Sequence, residues 1–194
     1  MYNTKIFCSL TLLFSTLAFA VIINSSWADT SANNNYFVAQ KNQKVINFDE
    51  LDLNQAIKHV KGDGSRKIAI FSEIECAYCK YLERDELSKV ENVTTYTFLF
   101  TNQPKKSLAW RQAQSIYCAQ NPAQAWKEFI FHDKLKTINT VGCESPLEDN
   151  HKLAKRLAVQ STPTLFFTDG RRALGLIKAK VIEQKLVDMH FYGD

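Results

Sequence analysis

The chain has no basic face, no internal repeat, no second Cys-x-x-Cys or Cys-x-x-His pair, and no two histidines at ligand spacing. Each absence removes a class of function. The 24 basic and 20 acidic residues are well mixed and leave a formal charge of only +4. No stripe of cations is there to neutralise phosphates, so a nucleic-acid partner is not expected. A structural zinc site would need a second pair of ligands to join the one Cys-x-x-Cys. None stands at the right spacing, and His59, His132, His151 and His190 read as surface or satisfied core residues. No metal or other cofactor is expected. Core-forming material is not lacking: 45% of residues are hydrophobic and 12% aromatic, enough for one ordinary domain plus attachments. Trp110, Trp126 and Phe129 are expected to pack in that core.

At the N-terminus, Lys5 precedes an apolar run from Ile6 to Ile23 broken only by small hydroxyl residues and Cys8. Small residues follow, ending at Ala28 before Asp29. This pattern predicts a secretory signal over 1–28, cleaved after Ala28, with Ala20 as an earlier site. The competing reading is an uncleaved anchor, since the run is long enough to cross a bilayer. Either way the folded part is expected outside the cytoplasm. Residues 30–44 are rich in Asn, Gln, Ser and Ala without an apolar period, so 29–47 is expected to be a flexible linker and 48–194 the domain, with folding beginning near Val45.

Within the domain, Leu53, Ala56, Ile57 and Val60 recur at helical spacing and predict a helix before the Gly62-Asp63-Gly64-Ser65 break. Ile68 to Phe71 is a short continuous apolar run, expected to be a strand covered on both faces. Val93 to Phe100 is dense in β-branched and aromatic residues and predicts a second central strand. A helical stretch between the two makes them a parallel pair. From about 104 to 157 the pattern turns helical in three segments, a long insertion in an α/β fold. Thr164 to Thr168 and Ala173 to Ile177 flank Asp169-Gly170 and predict a hairpin, and 181–187 reads as a closing amphipathic helix.

The chemistry concentrates at Cys76-Ala77-Tyr78-Cys79, between the first strand and the polar run Lys80 to Leu87. Two thiols at a strand-to-helix junction fall on the first helical turn, where free backbone N–H groups and the helix dipole stabilise a thiolate. Cys76 is then a nucleophile, and Cys79 is near enough to release a mixed disulfide. If Cys8 leaves with the leader, Cys118 and Cys143 remain as well. An even count in an exported chain suggests Cys76 with Cys79 as a reversible pair and Cys118 with Cys143 as a structural one. Glu73 and Glu75 are expected to be solvated carboxylates.

The segment Phe71-Ser72-Glu73-Ile74-Glu75-Cys76-Ala77-Tyr78-Cys79-Lys80, the later Ile116-Tyr117-Cys118-Ala119 with Cys143, and Ser161-Thr162-Pro163-Thr164 together resemble the periplasmic disulfide isomerases of the DsbC/DsbG type from about Phe48 onward. The resemblance implies a thioredoxin-like fold with the helical insertion before a cis-Pro hairpin. It implies Cys76 as nucleophile and Cys79 as resolving thiol. Thr162 and Pro163, with Ala77 and Tyr78, would form the substrate-binding surface, and Cys118–Cys143 the structural disulfide. Ile70 stands where thioredoxin carries a buried acid, an apolar choice in keeping with the isomerase branch. The implied work is reduction or isomerisation of disulfides in exported proteins, with electrons from a membrane donor of the DsbD type. The family carries an N-terminal dimerisation module where this chain has only 29–47 before the domain, so dimerisation stays open. A monomeric oxidase and a thioredoxin-fold chaperone or peptide-binding module are the alternatives.

Overall fold

The computed structural model describes residues 45–135 and 140–187. The expected signal over 1–28, and the linker up to residue 44, lie outside the described residues. Among those described, no helix is long and apolar enough to cross a membrane.

Five strands form one sheet: β1 (Ile57–Lys61), β2 (Arg66–Glu73), β3 (Val93–Phe100), β4 (Thr164–Phe167) and β5 (Arg172–Leu174), in the order β1-β3-β2-β4-β5. The helices are α1 (Ala77–Tyr81), α2 (Leu108–Tyr117), α3 (Pro122–His132), α4 (Leu147–Arg156) and α5 (Ala179–Val187). α1 continues through a π-type turn over Leu82–Glu86 and a 3-10 turn over Leu87–Lys89. The two strands expected to be central are so. β2 and β3 pair in parallel from Arg66 opposite Val93 to Glu73 opposite Phe100, and every residue of β3 is buried. α2, α3 and α4 fill the expected helical insertion, and the hairpin of β4 and β5 turns at Gly170. There φ is +78°, and a Cβ would stand 2.0 Å from the carbonyl oxygen of Ile46, whose N–H bonds back to the Gly170 carbonyl.

The helix expected near Val60 is instead a pair of 3-10 turns, Phe48–Glu50 and Leu53–Gln55, followed by β1. β1 runs antiparallel to β3, with Ile57 opposite Thr97 and Lys61 opposite Val93. Only Ile57 of this strand is buried; Val60 is half exposed. The apparent helical period counted a residue that faces solvent.

One sheet face carries Phe71, Phe98, Phe100 and Phe166 under Leu153 and Ala154 of α4. Phe71 stacks on Phe98 and meets Phe166 edge-on at 5.7 Å. The other face carries Ile57 and Leu99 under Ala113, Ile116, Trp126, Phe129 and Ile130, and Trp110 packs at its margin.

β1 begins opposite Thr97, so the next pairing group of β3 on that side, Leu99, has no strand beside it. Side chains of the insertion take over. The Leu99 N–H donates to the Tyr117 hydroxyl at 3.0 Å, and Asn150 Nδ2 donates to the Leu99 carbonyl at 3.1 Å. Tyr117 in turn donates to the Gln55 carbonyl. Burial pushes the Tyr117 phenol well above its ordinary value, so it remains a donor at every physiological pH.

Glu86 is an acid in the core, its side chain only 8% exposed. It accepts from the Ala179 N–H at 2.9 Å and from Lys178 Nζ at 3.1 Å, and so anchors the start of α5. The Ala179 bond first, then Lys178, holds its carboxyl below the ordinary value of 4.5. A depressed folded value means the unfolded chain takes up the proton first on acidification. The contribution is therefore whole above pH 4.5 and fades as pH falls through the folded value. Glu86→Gln should cost about 1–3 kcal/mol at neutral pH, the range for a weakened hydrogen bond to a charged group. In urea melts that deficit should shrink in acid; an unchanged deficit at pH 7 and in acid would refute the assignment.

Candidate active site

β2 ends at Glu73, and the Cys76 N–H turns back to the Glu73 carbonyl at 3.2 Å. Cys76 keeps an extended backbone and caps α1: its Sγ accepts from the Cys79 N–H at 3.0 Å. Such a donor favours negative charge on sulfur. The two cysteines form a disulfide with Cα atoms 5.2 Å apart. Their exposure differs sharply, because Cys79 is wholly buried and Cys76 is half-buried. An incoming group can therefore reach only Cys76.

Facing this sulfur is the loop before β4. The Thr162–Pro163 bond is cis, and the Thr162 carbonyl oxygen lies 3.5 Å from Cys76 Sγ. With the disulfide closed, that sulfur has no hydrogen and the approach is a contact; a reduced Cys76 thiol can donate across it. The Pro163 carbonyl accepts from the Gly175 N–H at 2.7 Å. Thr162 contributes no backbone hydrogen bond to another main-chain group among the described residues. Ala77 and Tyr78 are exposed on the first turn of α1, Tyr78 at 62%, and Tyr81 is exposed one turn on.

Glu75 is exposed, as expected. Glu73 is not a free solvated carboxylate. One oxygen accepts from the Asn102 N–H at 3.0 Å and the other from Thr162 Oγ1 at 3.4 Å, tying the Thr162 loop to the end of β3. Cys118 and Cys143 form the second disulfide, Cα atoms 6.0 Å apart, from the end of α2 to the loop before α4.

A family model described as a thioredoxin-like domain matches residues 53–190. The chain belongs to the thioredoxin-like domain family. Its α/β sheet with the helical insertion is that family's fold in this chain. Among solved structures, a disulfide interchange protein from Neisseria gonorrhoeae superposes with a TM-score of 0.63 at 32% identity, covering 71% of this chain and 97% of that one. BdbD from Bacillus subtilis superposes at 0.53 with 13% identity over 71% and 94%, a likeness of fold alone. In sequence, the chain is 37% identical over 147 residues to a Bordetella parapertussis protein named "Probable thiol:disulfide interchange protein DsbC". That match covers 76% of this chain and 51% of the relative. The chain thus spans about half the length of the curated relatives it matches.

The thioredoxin-like domain brings together Cys76, Cys79, Ala77, Tyr78, Thr162 and Pro163 at one end of β2, and leaves Cys118–Cys143 in the insertion. Ile70 is fully buried in mid-sheet. One acid escaped the sequence reading. Glu83, four residues beyond Cys79, turns its carboxyl inward, where Oε1 accepts from Thr97 Oγ1 at 3.1 Å and Trp126 Nε1 at 3.3 Å. Burial raises its pKa, and those two bonds offset part of the rise. Helical spacing from Cys79 was the available signal, and it did not reveal which side chains would enclose the carboxyl.

Proposed function

We propose that the chain is a periplasmic thiol:disulfide oxidoreductase that reduces or isomerises disulfides in exported proteins. The observation that carries this reading is the contrast between a reachable Cys76 capping α1 and a buried Cys79, under a Thr162 backbone with no main-chain partner. The Cys76 thiolate attacks one sulfur of a substrate disulfide, forming a mixed disulfide and expelling the other sulfur as a thiolate. Cys79 then attacks Cys76 Sγ, releases the reduced substrate and closes Cys76–Cys79. Alternatively, a substrate thiolate attacks the mixed disulfide and leaves a rearranged substrate with Cys76 reduced. The Thr162 N–H and carbonyl, beside Pro163, pair with the substrate backbone as an added strand, and Tyr78 packs beside it. Two electrons per reductive cycle come from a membrane donor of the DsbD type. Residues 1–28 serve as the export signal, 29–44 as linker leading to the Ile46–Gly170 bond, and Cys118–Cys143 as the structural bridge.

Cys79→Ser tests the order of attack. Without a resolving thiol, the mixed disulfide through Cys76 should accumulate as a reductant-sensitive adduct with a disulfide-bearing protein. An adduct that maps instead to Cys118 or Cys143, or none at all, would overturn the assignment.

A further inference from the structure

Beside the turns that follow α1, on the sheet face shared with α3, lies a partly open pocket of about 80 Å³. Its walls are Ile57 of β1, Leu87 beyond α1, Val93 of β3, and Ile130 and Phe131 of α3. Glu83 also lines it. Both protein donors to this carboxyl converge on Oε1, and Oε2 has no hydrogen-bond partner among the described residues. The mouth carries His59, Lys61 and Lys127. Lys61 is taken up by Glu91 at 2.7 Å. Lys127 has no salt-bridge partner among the described residues. The imidazole of His59 resists charging because of burial first, then Lys127 and Lys61.

A largely apolar cleft with one carboxylate oxygen left unpaired in its wall and an unpaired lysine at its mouth has the general form of a small-ligand site. The disulfide chemistry uses none of these groups. We infer that the pocket binds a small hydroxylated aromatic anion, its ring among Ile57, Leu87 and Ile130, its hydroxyl on Glu83 Oε2 and its anionic group at Lys127. A hydroxyl fits Oε2 in either state of Glu83, because it donates to a carboxylate and accepts from a protonated acid. An anion at the mouth pairs with Lys127, which a cationic or neutral ligand would leave uncompensated.

The probe is 4-hydroxyphenylacetate, titrated into the oxidised full chain so that the reading does not depend on the redox proposal. The indole N–H resonance of Trp126, which donates to Glu83, reports occupancy and is assigned with Trp126→Phe. A saturable shift is expected with a Kd on the order of 1 mM, typical for a ligand of this size. Phenylacetate, which leaves Oε2 unpaired, should bind about tenfold or more weakly. Lys127→Ala should weaken the hydroxylated probe roughly two- to fivefold, as for one exposed charge, while disulfide reduction stays unchanged. Glu83→Leu should erase the difference between the two probes; if that variant does not fold, the pair of probes on the native chain decides alone. The absence of a saturable shift up to about 30 mM, or equal binding of both probes, overturns the site.

Discussion

Cys76→Ser will bring disulfide reduction and disulfide rearrangement down to the rate measured without protein. The loss is one of chemistry and not of fold. Cys76 Sγ caps α1 by accepting the Cys79 N–H, and a serine hydroxyl is among the best side chains for that position. The helix start, the Thr162 loop and the Glu73 bonds to Asn102 and Thr162 therefore survive. What disappears is the thiolate, the only form of the group that attacks a disulfide sulfur at useful rates. Cys79 cannot substitute, because it is fully buried. The check is an insulin-type reduction assay beside a scrambled-disulfide assay, with melting of the variant and the reduced native chain as a control for folding. Residual turnover above background with an unchanged melt would mean that another thiol performs the attack.

Cys118→Ser should leave that chemistry in place and weaken the fold instead. The bridge spans 25 residues, and the loop it closes contains α3, whose Trp126, Phe129 and Ile130 supply one core cluster. Restricting a loop of that length in the unfolded chain stabilises the fold by about 3–4 kcal/mol. The melting temperature should fall by roughly 10 °C for a chain of this size. Cys143→Ser should match it, and the double variant should add little, because the two substitutions remove the same bond. Calorimetry on all three decides. Unchanged stability with lost activity would place this pair in the redox cycle.

The parts of the molecule visible in the sequence were those fixed by local pattern. Val93 to Phe100 needed no partner to be recognised, since a continuous β-branched and aromatic run fits only a strand covered on both faces. The candidate site could be located in the sequence because spacing and helix-start chemistry mark Cys76 and Cys79, and a family likeness marks Thr162-Pro163; the structure sets the two side by side. β1 was misread because a window of a few residues satisfies two periods at once. Its backbone partners, Val93 to Thr97, lie some 35 residues further on and decide between them. The settings of Glu73, Glu83 and Glu86 are hidden in the sequence for a related reason. Each looks like a solvated acid in sequence, and each is held by groups contributed from afar: Asn102 and Thr162, Thr97 and Trp126, Lys178 and Ala179.

Where β1 begins, Tyr117 and Asn150 stand in for the strand that Leu99 lacks. The helical insertion is thereby stitched into the sheet's own ladder and does not rest on it as a separable layer. Local opening of α2 or α4 must break pairing in mid-sheet, so these helices cannot fray as an independent subunit of stability. In amide exchange, the Leu99 amide and the central amides of α2 and α4 should then open together, as a single foldon.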